Sequence, residues 1–130
     1  MSSAAPRPHL LYVEDNAACG ELVREALAEG YNVQLANDGF TGLDLARENP
    51  PDLLLVDLRL PTLSGFALIE QWRRDETLKP RPVVVISARV MGGEKDRARE
   101  LGCLGFVEKP FSLETLRGVV ARALSGERTP

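Results

Sequence analysis

The chain has 130 residues, of which 44% are hydrophobic and 27% charged, with a formal net charge of −3. That length makes one domain, able to bury about two thirds of its unfolded surface. The mildly acidic balance, with no basic stripe on any segment, leaves no electrostatic footprint for nucleic acid, and no apolar stretch approaches the ~20 residues of a membrane-crossing helix.

Residues 1–7 lack the apolar region of a signal peptide and read as a loose tail. Cys19 and Cys103 lie on no metal-ligand spacing. A disulfide between them is open in principle, but they read more simply as partly buried free thiols, which makes the cytoplasm the default compartment.

Strand-like runs and helical patterns then alternate. His9 to Val13 is a strand, followed by Cys19, Leu22, Val23, Ala26 and Leu27 at helical spacing up to Gly30. Tyr31 to Ala36 alternates as a second strand. Asp38 is placed to cap a helix carrying Phe40, Leu43 and Ala46, which Pro50-Pro51 closes. Leu53 to Val56 is the third strand. A loop from Pro61 to Gly65 opens a helix with Phe66, Ile69 and Trp72 on its apolar side, closed before Pro80 and Pro82.

Val83 to Ile86 is a β-branched run suited to a strand buried on both faces. A helix around Glu94 to Leu101 stops at Gly102, Leu104 to Val107 is the fifth strand, and Leu113, Leu116, Val120, Ala123 and Leu124 share one face of a last helix. Residues 126–130 form a short polar tail, and residues 8–125 the domain. Strand–helix alternation from end to end predicts an α/β fold with a mostly parallel sheet and helices on both faces. Right-handed crossovers leave a flavodoxin-like order 2-1-3-4-5 or a half-Rossmann sheet. In either, ligands bind beyond the carboxyl ends of the strands.

Those ends carry the chemistry. Glu14 and Asp15 follow the first strand, Asp57 the third, Ser87 the fourth, and Glu108-Lys109 the fifth. Two carboxylates ~5 Å apart repel by roughly 3 kcal/mol at an effective dielectric of ~20, so such a cluster calls for a cation. An all-oxygen donor set suits magnesium, and no His or Cys pattern favours zinc. Singly, each residue has a plainer reading. Asp15, Asn16 or Asp57 is a helix cap, Ser87 a turn residue, Lys109 a solvated lysine. Their joint occurrence at four strand ends favours a site for a divalent cation and a phosphoryl group.

Val13-Glu14-Asp15-Asn16, the run Val56-Asp57-Leu58-Arg59-Leu60-Pro61 followed by Gly65, Ile86-Ser87-Ala88, and Phe106-Val107-Glu108-Lys109-Pro110-Phe111 resemble the receiver domain of two-component response regulators, of the single-domain chemotaxis-regulator type. The resemblance spans about residues 8 to 125 and implies the doubly wound (βα)5 order 2-1-3-4-5. It implies that Asp57 accepts a phosphoryl group from a histidine kinase or a histidine phosphotransfer protein. It assigns magnesium to Asp15, Asp57 and the backbone carbonyl of Arg59, with Glu14 acting through water. Lys109, the Ser87 hydroxyl and the Ala88 N–H bind phosphoryl oxygens. Ser87 and Phe106 form a switch, Lys109-Pro110 is a cis peptide, and Gly65 and Pro110 are structural.

The output implied is a changed surface of the fourth helix, fifth strand and fifth helix, read by a downstream protein or a second copy. The domain itself contacts no nucleic acid, enters no membrane, and catalyses only its own phosphorylation and dephosphorylation. Because the chain stops soon after the last helix, a stand-alone receiver, a phosphorelay shuttle or a piece of a longer protein all fit.

Several departures bear on tuning. Phe106 lacks the phenol of the commoner Tyr, Glu14 is one methylene longer than Asp, Ser87 replaces the commoner Thr, and Arg59 and Arg89 flank the site. Gly92-Gly93 suggests a pliable entry to the fourth helix. His9 and Trp72 read as structural. Two readings from other classes remain, and a degenerate receiver is a softer alternative. A haloacid-dehalogenase-type phosphohydrolase expects a second acid where Arg59 stands. A nucleotide or flavin module needs a glycine-rich first loop. A pseudo-receiver docks without phosphorylation.

Overall fold

The computed structural model describes residues 6–88 and 92–128. Its elements follow in strict alternation: β1 (His9–Val13), α1 (Ala17–Leu27), β2 (Asn32–Ala36), α2 (Gly39–Glu48), β3 (Leu53–Val56), α3 (Gly65–Arg74), β4 (Val83–Ser87), α4 (Gly92–Glu100), β5 (Gly105–Glu108) and α5 (Leu113–Leu124). All strand pairs are parallel, and the sheet order is β2-β1-β3-β4-β5. Of the two topologies open from the residues alone, this is the flavodoxin-like one.

Strand periodicity sorts the core into two layers. Leu11, Val13, Leu54, Val56, Val83 and Val85 face α2, α3 and α4, where they meet Leu43, Phe66, Ile69, Trp72 and Ala98. Leu10, Tyr12, Leu53, Leu55, Val84, Ile86 and Val107 face α1 and α5, against Val23, Leu27, Leu116 and Val120. The central strands are buried on both faces, which is why they read as continuous apolar runs rather than alternating ones.

Helix starts are set by side-chain caps. Asn16, Asp38, Ser64 and Ser112 accept from the N–H groups of Cys19, Thr41, Ala67 and Thr115 at 3.0, 2.8, 3.2 and 3.0 Å. Gly102, at φ +84°, ends α4 in the left-handed conformation that glycine adopts without strain.

Some expectations shift. The fourth helix begins at Gly92, so Gly92 and Gly93 are its first two residues rather than a segment ahead of it. Leu22 and Phe40, assigned to apolar stripes, are 52% and 55% exposed. The buried positions are Gly20, Val23, Ala26 and Leu27 on α1 and Gly39, Gly42, Leu43 and Ala46 on α2, so Leu22 and Phe40 fall at the margins of the buried faces. Cys19 and Cys103 are free thiols, the first half-buried and the second fully buried, where burial pushes its pKa up to about 12.

Trp72 is fully buried, its indole N–H donating to the Arg81 carbonyl at 3.3 Å. His9 shares a hydrogen bond with Gln34. At the amino end Arg7 donates to the Ala28 carbonyl at 2.6 Å. Arg89, most of the leading tail and the last two residues lie outside the described residues. No helix is long and apolar enough to cross a membrane among the described residues.

Candidate functional site

The carboxyl ends of β1, β3, β4 and β5 converge because the register is nearly level. Val13 pairs with Val56, Val56 with Val85, and Ser87 with Glu108. Glu14, Asp57 and Lys109, each just past its strand, and Ser87, the last residue of β4, therefore emerge on the same rim. One carboxylate oxygen from each of Glu14, Asp15 and Asp57 lies within 4.8 Å of the others. Glu14 and Asp57 are buried, and Asp15 is exposed.

Asp57 receives three donors. The Arg59 N–H (2.9 Å) and the Ser87 hydroxyl (3.0 Å) reach Oδ1, and the Lys109 ammonium reaches Oδ2 at 2.9 Å. Burial pushes the Asp57 carboxyl up, but these three donors outweigh it and hold its pKa below the ordinary carboxylate value. Asp57 caps no helix, since α3 starts only at Gly65 under the Ser64 cap.

Lys109 is a partly buried cation between two acids, paired with Asp57 and also with Glu14. Burial alone would lower its pKa, but the bonds to Glu14 and Asp57 carry it above the usual lysine value. The Lys109-Pro110 bond is cis, as the resemblance implied.

Glu14 is held on several sides. Besides Lys109, its Oε1 accepts the Tyr12 hydroxyl at 2.8 Å, and Oε2 accepts the Asn16 N–H at 3.3 Å. Tyr12 was not legible as a site residue, because an aromatic inside an apolar strand reads as core. The one available signal was its i, i+2 spacing to Glu14, which puts both on the same side of the strand. Its hydroxyl also sits 3.6 Å from Cys19 Sγ. Burial first, then the contacts with Cys19 and Glu14, holds the phenol well above its usual pKa.

The Arg59 side chain turns outward to α4, where Nη1 and Nη2 meet the Glu94 carboxylate at 2.6 and 3.0 Å. No spacing in the sequence marks this contact between the β3–α3 loop and α4. Ala88 is exposed just past β4. Phe106 is half-buried on the α3–α4 side, with Lys95 at 5.6 Å and Arg99 at 5.5 Å from its ring centre. Gly65 packs against the backbone after β3, where a Cβ would lie 2.4 Å from the Asp57 carbonyl oxygen.

Three acids and a lysine at the ends of neighbouring parallel strands, with a hydroxyl donating to the Asp57 carboxylate, form an acid-rich rim into which the Lys109 ammonium is bonded. A family model described as the response regulator receiver domain matches residues 10–121 of the chain. The chain belongs to that family. Receiver domains are signalling switches of two-component systems rather than conventional enzymes.

Among its relatives is the polar-differentiation response regulator DivK of Brucella ovis, 36% identical over 119 residues that cover 88% of this chain and 97% of DivK. The non-phosphorylated HemR receiver domain of Leptospira biflexa is 34% identical with a TM-score of 0.84, covering 95% of this chain and 99% of that one. The receiver domain of the sensor histidine kinase PA1611 of Pseudomonas aeruginosa was crystallised with a magnesium ion coordinated in its active-site cleft. It is 26% identical with a TM-score of 0.83, over 92% of this chain and 99% of that one.

Proposed function

We propose that this receiver domain, residues 8–125, accepts a phosphoryl group on Asp57 from a histidine kinase or histidine phosphotransfer protein. The reaction is magnesium-dependent, and the modified domain presents an altered α4–β5–α5 surface to a downstream protein or to a second copy. The observation that carries this reading is the convergence on Asp57 of a lysine ammonium, a serine hydroxyl and a backbone N–H, beside two further acids.

The donor set fits magnesium. It consists of hard oxygens, and among the described residues three carboxylates cluster about one ammonium, a negative excess that a divalent cation offsets. Asp15, Asp57 and the Arg59 carbonyl would hold the ion, with Glu14 reaching it through water. Bound there, the ion supplies positive charge for the transferring phosphoryl oxygens.

The chain's own residues do the rest. An Asp57 oxygen forms the new O–P bond as the P–N bond of a phosphohistidine breaks. The P–N electron pair returns to the imidazole, which leaves neutral when its other nitrogen carries a proton. With an acyl phosphate the leaving group is a carboxylate. Lys109 keeps its charge throughout and donates to the incoming oxygens, as do the Ser87 hydroxyl and the Ala88 N–H. The added charge draws Ser87 from its present bond with Asp57 toward the phosphoryl group. Phe106, which lies under α4, is the neighbouring part of the switch. Two free thiols accord with a reducing, cytoplasmic setting.

Incubation with magnesium and acetyl phosphate should add one phosphoryl group to the native protein, stable to acid and labile to base, and none to Asp57→Asn. Beryllofluoride with magnesium should change partner binding or oligomeric state in the native protein alone. A native protein that takes up no phosphoryl group and does not respond to beryllofluoride would be a docking module instead.

A further inference from the structure

The Tyr12 hydroxyl is a polar atom placed inside an otherwise hydrocarbon layer. The tyrosine is 0% exposed, packed with the residues that face α1 and α5. A buried hydroxyl without a partner is costly, and this one spends its only proton on Glu14 Oε1 at 2.8 Å. The same oxygen accepts Lys109, and Lys109 in turn donates to Asp57. Hydroxyl, carboxylate, ammonium and carboxylate thus form one connected chain from the middle of β1 to the end of β3.

We propose that Tyr12 is a positioning residue for phosphoryl transfer: by fixing Glu14 it sets where the Lys109 ammonium stands over Asp57. The proposal rests on the reading of Asp57 as phosphoacceptor. Glu14, with its extra methylene, is long enough to turn back toward the Tyr12 ring on the same side of the strand. Tyr12 and Glu14 therefore act as a pair. Cys19 Sγ is 3.6 Å from the hydroxyl; with the phenol proton on Glu14 at the much shorter 2.8 Å, the thiol is left to donate to the phenol oxygen.

The test compares native protein, Tyr12→Phe, Glu14→Asp and the double variant, with acetyl phosphate at saturating magnesium. Tyr12→Phe is expected to slow labelling of Asp57 by about five-fold, the equivalent of one ordinary hydrogen bond. In the Glu14→Asp background, where the shorter acid does not reach the phenol, the same change is expected to have no further effect. A merely structural tyrosine would not give that non-additivity.

In the native protein, proton NMR should show a slowly exchanging Tyr12 hydroxyl that shifts when magnesium is added. This readout needs no variant. A Tyr12→Phe rate within about twofold of native would overturn the proposal. So would an equal slowing in both backgrounds, or a Tyr12 hydroxyl proton that exchanges as fast as that of an exposed phenol. Failure of the native protein to label would instead count against Asp57 as the acceptor, a different outcome.

Discussion

Gly65 sits against the backbone of Asp57: a Cβ built on it would lie 2.4 Å from the Asp57 carbonyl oxygen and 2.6 Å from the Leu58 α-carbon. The obstructing atoms are main chain and have no rotamer to change. Gly65→Ala should therefore cost about 3 kcal/mol or more in a denaturant titration, since relief requires moving α3 or the rim that carries the acid. The same variant should bind magnesium more weakly in calorimetry. Unchanged stability would mean that the loop from Pro61 to Gly65 shifts freely.

Asp57 and Lys109 give opposite pH signatures. Asp57 is depressed below its unfolded value, so the unfolded chain binds its proton first as acid is added. Its contribution is present above about pH 4 and is lost as pH falls through the lower folded value. Lys109 is raised, so its contribution is complete below about pH 10 and is lost only as pH rises through the higher folded value. Stability curves of Asp57→Asn should be flatter than native on the acid side, and those of Lys109→Met flatter on the alkaline side. Parallel native and variant curves in the acid limb would contradict the Asp57 assignment.

Arg59 and Glu94 join the rim to α4, a helix whose one buried residue is Ala98. The Arg59 side chain is half exposed and Glu94 partly buried, at 49% and 24%, so Arg59→Ala should change global stability by about 1 kcal/mol, and less at high salt. Its effect should be local. Hydrogen exchange in α4 should quicken while β3 and β4 keep their protection, because weakly anchored segments open below the global free energy. Uniform acceleration across the domain would exclude such a local role.

Arg73 gathers backbone carbonyls in place of an acid. Its guanidinium donates to Leu101, Gly102, Lys79 and Arg81 at 2.7, 3.1, 2.7 and 3.3 Å, tying the ends of α3 and α4 to the turn before β4. Burial lowers its pKa, yet it stays charged. Arg73→Met should lower stability by about 2–3 kcal/mol in thermal melts, and Lys should not restore it, lacking the planar fork.

The fold was legible where the apolar pattern and burial coincide. Leu53 to Val56 and Val83 to Ile86 are buried throughout, and the run of residues set the strand bounds within a position or so. Leu22 and Phe40 show the limit of that inference. Spacing marks a side chain as suited to a core, but burial depends on whether a neighbour lies over it.

At the rim, Asp57, Ser87 and Lys109 could be placed together because each ends a strand of one parallel sheet. Their pairings could not. Glu14 and Lys109 are 95 positions apart, and the choice of Lys109 and Tyr12 as partners for Glu14 depends on side-chain direction. Arg59 reaching Glu94 depends on the position of α4, which its own charged sequence does not announce.

Trp72 lies at the opposite edge of the sheet from the acids. Its indole is bonded to Arg81, six residues before Ser87, a span of roughly 20 Å along an extended strand. It is the only tryptophan. Its emission therefore reports whether the domain is folded and is little disturbed by what the rim holds. Denaturation followed by this fluorophore measures ligand-induced stabilisation directly, since midpoints with and without added magnesium share the same folded and unfolded baselines.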